Sequence, residues 1–80
     1  MHHYFYLARC ADDSFYAGTC VDLKERETKH NDGKGAKYTR GRGPVSFVYH
    51  EEFATLSDAR KREAEVKKWT RQQKEKLLSA

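Results

Sequence analysis

The chain has 80 residues, which is enough for one small domain, residues 1–80, and too few for a second hydrophobic core. Hydrophobic residues make up 38% of it and charged residues 35%, and five Tyr, four Phe and one Trp supply enough apolar area to exclude a disordered chain. The excess of 16 Lys and Arg over 12 Asp and Glu gives a formal charge of +4, which favours a polyanionic partner, and no apolar run reaches the ~20 residues of a membrane span.

The first predicted element is a β-hairpin. Residues 4–10 form a nearly continuous apolar run, typical of a central strand covered on both faces, and residues 14–20 return antiparallel to it. Tyr6 and Tyr16 share a face of this hairpin only if an odd number of residues forms its loop. Gly18 has no side chain and would let a ligand or another backbone come close. The hairpin therefore predicts a site that contains both tyrosines.

Two cysteines, Cys10 and Cys20, lie near the ends of the two predicted strands. Their separation does not match the spacing of a metal site. No signal peptide precedes them, so we expect a cytoplasmic protein in which both thiols stay reduced and are buried as small apolar side chains.

The next stretch predicts a helix over residues 23–31. Asp22 can cap it, with Glu25 at the third helical position as in a capping box. Helical spacing places Arg26 and His30 on the face that is directed inward. Two interpretations stay open: a functional face, or a weakly amphipathic surface helix on which Arg26 extends its charged end to solvent.

A glycine-rich loop at residues 32–44 follows this helix. It carries four cations around one aromatic residue, namely Lys34, Lys37, Arg40 and Arg42 around Tyr38. Such a loop suits contacts with a phosphate backbone together with stacking on a base, which predicts a nucleic-acid-binding segment. The alternative is a solvated surface loop.

Residues 45–49 show the alternation of side chains that is typical of a strand, and this alternation continues weakly to residue 53. Because a helix separates this strand from the hairpin, it can join the sheet by a crossover. We expect an α/β (α+β) fold with a small three-stranded mixed sheet flanked by helices, in the order β-β-α-β-α-α.

A second helix is predicted from Thr55 or Ser57 to about residue 68. Its inward stripe is Leu56, Ala59, Glu63 and Val66, so one carboxylate stands where an apolar side chain belongs. A buried carboxylate costs several kcal/mol unless a cation or hydrogen bonds compensate it, and Arg26 and a divalent metal are the expected partners.

After Trp69, the pattern Thr70-x-x-Gln73 predicts a capping box that opens a last helix. Leu77 and Leu78 are the apolar residues of this helix and can pack back onto the core.

These segments, in this order, resemble the GIY-YIG nuclease superfamily. The resemblance runs from residue 4 to about residue 78 and is closest to the small stand-alone, single-domain bacterial proteins of the superfamily. The two motifs that give the superfamily its name are degenerate here, as Tyr4-Phe5-Tyr6 and Tyr16-Ala17-Gly18. Three further stretches complete the match: Asp22-Leu23-Lys24-Glu25-Arg26 with His30, residues 33–41, and residues 62–67.

The resemblance implies an active site built from five side chains: Tyr6, Tyr16, Arg26, His30 and Glu63. It implies that Tyr6 or Tyr16 is the general base, and we favour Tyr6, with Tyr16 positioning water or phosphate. It assigns the metal to Glu63 rather than Glu65. One departure is Thr19, which stands where some repair members have a lysine.

The same residues fit phosphodiester hydrolysis on chemical grounds. A single carboxylate such as Glu63 suits Mg²⁺ or Mn²⁺ that keeps water in its shell, and the guanidinium of Arg26 can clamp a phosphate through two hydrogen bonds. An unperturbed tyrosine, with a pKa of about 10, is a poor base at neutral pH without a nearby cation.

Three functions are therefore carried forward. The first is a metal-dependent endonuclease that acts as a monomer on DNA, with branched or damaged DNA in repair or recombination as the candidate substrates. An unknown protein partner would supply specificity, and RNA stays open as a second substrate. The second is a nucleic-acid-binding module of the same fold without catalysis. The third is a protein-interaction domain.

Overall fold

A computed structural model describes residues 2–78 of the chain. Its elements are β1 His3–Arg9, β2 Phe15–Cys20, α1 Leu23–Asn31, β3 Ser46–Phe53, α2 Leu56–Lys67 and α3 Arg71–Leu78. A short 3₁₀ turn, Lys37–Thr39, lies in the loop between α1 and β3. The α+β class and the order β-β-α-β-α-α are confirmed.

The three strands form one sheet in the order β2-β1-β3, which confirms the central position of β1. Both β2 and β3 pair antiparallel to β1, so the sheet is antiparallel throughout and the expectation of a mixed sheet was wrong in this detail. The crossover through α1 does connect two strands that run in the same direction, but β1 lies between them. No parallel pair therefore forms.

The hairpin between β1 and β2 has a five-residue loop, residues 10–14, because Arg9 pairs with Phe15. A loop with an odd number of residues is the condition under which the two tyrosines share a face. The register satisfies it, since Tyr6 lies opposite Gly18 and Tyr16 lies opposite Ala8. Tyr6 and Tyr16 therefore project from the same side of the sheet.

The sheet has a layer of helix on each side. The odd-numbered side of β1 faces α2 and carries an apolar core, whose buried residues are Phe5, Leu7, Phe15, Ala17 and Val66. Residues of α3 pack at the margin of this core. The even-numbered side faces α1 and holds a second cluster: Tyr6, Ala8, Cys10, Cys20 and Val45, with Leu23 and Tyr16 packed against it. Both cysteines are unpaired and buried, as expected.

The predicted helix starts are confirmed by their caps. The Asp22 carboxylate accepts a hydrogen bond from the Glu25 amide at 3.0 Å, and Thr55 caps α2 in the same way. At α3 the capping box is complete, because Gln73 accepts from the Thr70 amide at 2.9 Å and Thr70 accepts from the Gln73 amide at 3.2 Å. Each such cap contributes about 1 kcal/mol to helix stability.

Two side chains of α1 fix that helix over the even-numbered side of the sheet. The Asn31 amide donates to the Val45 carbonyl at 3.0 Å and accepts from the Val45 amide at 2.6 Å. Glu27 accepts from the Phe47 amide at 2.8 Å. These bonds join α1 to Val45 and to the start of β3, on the side of the sheet that bears the tyrosines.

The apolar stripe predicted for α2 is only partly correct. Ala59 and Val66 are fully buried, but Leu56 is 38% exposed. Leu56 is the first residue of the helix, and helical side chains point back toward the N-terminus, which directs this one beyond the packed surface. Leu77 and Leu78 of α3 pack against the core, as predicted. None of the helices in residues 2–78 has the length and apolar character needed to cross a membrane.

Candidate active site

One pocket of about 300 Å³ collects all five side chains predicted to be catalytic. Tyr6 and Tyr16 come from the hairpin, Arg26 and His30 from α1, and Glu63 from α2. Gly18 and Thr19 of the edge strand β2 also line it, and they lie on opposite sides of that strand. The pocket therefore lies beside β2, where a side chain from α2 can reach the face that bears the tyrosines.

Tyr6 is almost completely buried, at 2% exposure. Its ring stacks on Phe47 with centroids 4.0 Å apart, and its hydroxyl is 2.8 Å from Nε2 of His30. Burial is the main cause that raises the pKa of Tyr6 above its usual value, and the nearby Tyr16 adds to the rise. The positive charge of Arg26 only partly opposes it. A free phenolate is therefore disfavoured at this position.

His30 lies at the centre of the buried polar groups. It is 2% exposed, and both ring nitrogens have partners: Nε2 meets the hydroxyl of Tyr6, and Nδ1 lies 2.7 Å from Oγ1 of Thr39. Burial and the positive charge of Arg26 lower its pKa. The imidazole is thus held neutral near neutral pH, with one nitrogen available as an acceptor.

Two glycines allow these rings to sit where they do. A Cβ added at Gly18 would lie 2.5 Å from the Tyr6 hydroxyl, and one added at Gly35 would lie 2.2 Å from Nδ1 of His30. Neither distance is compatible with a side chain. A ligand or another backbone is expected to come close at Gly18, and the group that does so in the structure is the phenol side chain of Tyr6.

Tyr16 is half-buried and forms the outer wall of the pocket. Its ring lies 5.5 Å from His30 and stacks on Tyr38 at 5.7 Å. Lys67 places its ammonium group over the same ring at 5.7 Å. Tyr16 therefore connects the buried polar groups to the exposed loop between α1 and β3.

Arg26 lines the pocket without an ion pair to any carboxylate in residues 2–78. Its positive charge nevertheless acts on its neighbours. Burial raises the pKa of Tyr6 and of Cys20, and Arg26 partly opposes that rise, whereas burial and Arg26 together lower the pKa of His30. A guanidinium that lines a polar pocket without a carboxylate partner has its donors available for a bound anion such as a phosphate.

Glu63 has a different partner from those expected. Its side chain is 21% exposed, and Oε2 lies 2.8 Å from Nζ of Lys67, one turn later on α2. The predicted pairing with Arg26 is not formed, because the i,i+4 spacing on one helix already brings a lysine to the carboxylate. The hydrogen bond from Lys67 to Glu63 raises the lysine pKa.

The donor set in the pocket fits a hard divalent cation that keeps most of its water. Glu63 supplies one carboxylate, and the remaining space is open to water and to oxygen atoms of a substrate. Within residues 2–78 no group of three or more His, Cys, Asp or Glu side chains could enclose a metal. The residues present are therefore compatible with a divalent cation held by one carboxylate, and not with a cage of protein ligands.

The five residues proposed to bind nucleic acid all lie in the loop between α1 and β3, which contributes residues 34–36 to the pocket. Lys34 lines the pocket itself, and Lys37 and Arg40 are exposed. Tyr38 is 39% exposed, with one contact already made to Tyr16. Arg42 lies over the Tyr38 ring at 4.3 Å and its guanidinium pairs with Asp12 at 3.1 Å, so it also holds the loop to the hairpin.

Sequence reasoning missed Thr39 and Lys67. Thr39 is 1% exposed, but it lies in an irregular loop where no periodicity separates buried from exposed positions. Lys67 did carry a signal, since it stands four residues after the anomalous Glu63 on a predicted helix.

The same pocket residues are covered by a match to a known protein family. The GIY-YIG catalytic domain matches residues 2–76. The chain belongs to this family. A UPF0213 protein of Bacillus pumilus is 54% identical over 74 residues, which cover 92% of this chain and 76% of that protein. A UPF0213 protein of Staphylococcus saprophyticus is 52% identical over 77 residues, covering 96% of this chain and 94% of the relative.

Two solved structures agree with the fold of this GIY-YIG domain. The solution NMR structure of a UPF0213 protein of Bacillus halodurans has a TM-score of 0.63 and 47% identity, and it covers 99% of this chain and 84% of that one. A protein of E. faecalis has a TM-score of 0.65 and 48% identity with the same coverage. The resemblance to small GIY-YIG proteins is confirmed, and the domain belongs to a nuclease family whose members generally use divalent metals.

Proposed function

We propose that this protein is a metal-dependent endonuclease that hydrolyses DNA phosphodiester bonds, one strand at a time, at branched or damaged DNA during repair or recombination. The observation that carries the proposal is the convergence of Tyr6, Tyr16, Arg26, His30 and Glu63 on one pocket from three separate parts of the chain. All five come from one chain, which supports action as a monomer. The unpaired, buried Cys10 and Cys20 suit a reducing compartment such as the cytoplasm.

Arg26 is assigned to the scissile phosphate. It lines the pocket and forms no carboxylate pair in the described chain, so both of its terminal nitrogens can donate to phosphate oxygens. Negative charge on those oxygens increases toward the transition state, and a preorganised cation stabilises that state more than the ground state.

Tyr6 and His30 are assigned to the proton that leaves the attacking water. The Tyr6 oxygen takes this proton while its own proton is transferred to Nε2 of His30 along the 2.8 Å hydrogen bond between them. No free phenolate is then required. The resulting hydroxide adds to phosphorus, the bond to the leaving oxygen breaks, and solvent protonates the alkoxide. Tyr16, beside His30, positions the water or the phosphate.

Glu63 is the residue that would hold Mg²⁺ or Mn²⁺. When bound, such an ion neutralises charge on phosphate oxygens and acidifies water. Lys67 fixes the position of this carboxylate through its 2.8 Å contact.

The loop between α1 and β3 is assigned to the DNA backbone. Lys34 lines the pocket, and Lys37 and Arg40 are exposed on the same loop, where they can neutralise flanking phosphates. Tyr38 and Arg42 form the stacked part of this surface. These contacts carry no base-specific readout, which is consistent with recognition of DNA structure, of RNA, or of a site chosen by a protein partner.

A second candidate is a nucleic-acid-binding module without catalysis. It is favoured by one observation, the direct ion pair of Glu63 with Lys67, which would make the carboxylate a structural partner only. In that case, removing the carboxylate would lower stability and leave DNA binding unchanged, while Lys37→Ala or Arg40→Ala would weaken binding and reduce its dependence on salt.

The test is a cleavage screen of the purified protein on nicked, flap, junction and duplex DNA with Mg²⁺ and with Mn²⁺. We expect nicking of at least one branched substrate by the wild type and a loss of about 10²-fold or more in Glu63→Gln. Glu65→Gln is the matched control, because Glu65 lies on the same helix, is exposed and pairs with Arg62 outside the pocket. Binding without cleavage in either metal would favour the second candidate.

A further inference from the structure

The buried contacts of His30 decide which of its nitrogens carries the proton. Thr39 Oγ1 lies 2.9 Å from the carbonyl oxygen of Ala36 as well as 2.7 Å from Nδ1 of His30. A hydroxyl has one hydrogen to donate. If it were directed to Nδ1, two oxygens carrying only lone pairs would face each other at 2.9 Å. Directed to Ala36, it leaves the Thr39 oxygen as the acceptor for an Nδ1–H group.

The protonation of Nδ1 also fixes which group donates in the hydrogen bond between Tyr6 and His30. With its proton on Nδ1, the neutral imidazole presents Nε2 as a lone pair to the Tyr6 hydroxyl at 2.8 Å. Tyr6 therefore donates inward to His30 and keeps its oxygen lone pairs for the pocket. The opposite tautomer would make Nε2–H the donor to Tyr6, and His30 could then accept no proton from that hydroxyl.

We propose that Thr39 is a positioning residue that holds His30 in the Nδ1–H tautomer and so leaves Nε2 free to accept the proton of Tyr6. Its role in cleavage rests on the proposed function, whereas its role in setting the tautomer rests only on these hydrogen bonds. The packing supports a fixed arrangement. His30 and Thr39 are 2% and 1% exposed, and the backbone of Gly35 lies directly against Nδ1, so water does not compete for this nitrogen.

The first test reads the tautomer by long-range ¹H–¹⁵N NMR of the imidazole. The chain has four histidines, and replacing His2, His3 and His50 by Gln leaves His30 as the only signal. The proposal expects the Nδ1–H pattern near neutral pH. Observation of the Nε2–H pattern in this folded protein would overturn it, and this arm does not depend on whether any Thr39 variant folds.

The second test compares Thr39→Val with Thr39→Ser. Valine keeps the shape and removes the acceptor, so the Nε2–H population of His30 should rise and cleavage should fall by about tenfold or more, with DNA affinity unchanged. Serine keeps the hydroxyl and should retain both the wild-type tautomer and most of the activity. An unchanged tautomer in Thr39→Val would refute the positioning role.

The two arms separate this inference from the proposed function. If the wild type cleaves no substrate but Thr39→Val still converts the tautomer, the proposed function fails and the positioning of His30 stands. If the tautomer changes and cleavage by Thr39→Val equals that of the wild type, Thr39 has no role in proton transfer.

Discussion

The two sides of the central strand β1 use the same backbone for different purposes. On the odd-numbered side, Phe5 and Leu7 are fully buried among apolar side chains from β2 and α2. On the even-numbered side, Tyr6 is buried just as deeply, but its hydroxyl ends on His30, which in turn ends on Thr39. One side is held by apolar packing, and the other by apolar packing together with a series of hydrogen bonds.

This difference separates stability from chemistry. Burial of apolar area contributes stability without requiring any particular direction, whereas a buried polar group costs stability unless hydrogen bonds compensate it. The odd-numbered side should therefore respond to changes in volume. The even-numbered side should respond to changes in hydrogen bonding, with activity affected more than folding.

The largest expected effect on stability comes from the apolar side. Leu7→Ala removes a fully buried side chain between Ala17 and Tyr49 and should lower the free energy of unfolding by about 2–5 kcal/mol. Chemical denaturation measures this, and cleavage per folded molecule should stay at the wild-type level. A variant that remains stable but loses activity would contradict the separation of the two sides.

A smaller effect on stability, with a larger one on activity, is expected at Gly18. The new Cβ of Gly18→Ala would lie 2.5 Å from the Tyr6 hydroxyl, so the phenol must move away from His30. We expect a stability cost of about 1–3 kcal/mol and a cleavage rate reduced by more than tenfold. Gly43→Ala is the control, because its nearest heavy atom would be 3.9 Å away. Equal activity in the two variants would refute the requirement for close packing here.

The smallest effect concerns pH. Burial, with the charge of Arg26, lowers the pKa of His30 below the ordinary value of 6.5, so protonation favours the unfolded chain. The contribution of neutral His30 to stability is complete above pH 6.5 and is lost as the pH falls toward the lowered pKa of the folded state. Denaturation at several pH values should show this slope in the wild type and a weaker one in His30→Gln. The same slope in both proteins would remove His30 as its origin.

Regular elements could be predicted from the sequence because their signals are local. The caps at Asp22, Thr55 and Thr70 define helix starts. The even spacing of Tyr6 and Tyr16 predicts that they share a face of the hairpin if its loop has an odd number of residues. The position of β3 in the sheet does not follow from the sequence, because a crossover alone does not say whether the returning strand lies beside β2 or on the far side of β1.

The finer structure of the pocket depends on contacts between segments that are distant in the chain. Thr39 reaches His30 across a glycine-containing loop, and nothing local to residues 32–44 marks it as buried. The apolar stripe marks Glu63 as anomalous and predicts Arg26 or a metal as its partner, whereas the partner in the structure is Lys67 on the same helix.

The measurement that tests the central claim most directly is the addition of Mn²⁺ to ¹⁵N-labelled protein, followed by NMR. A paramagnetic ion broadens signals near its site, so the wild type should lose the amide signals of Gly18, Thr19 and Gly35 around the pocket. Glu63→Gln should abolish this selective broadening, and Glu65→Gln should leave it intact. Broadening centred elsewhere, or broadening at the pocket that persists in Glu63→Gln, would contradict the account.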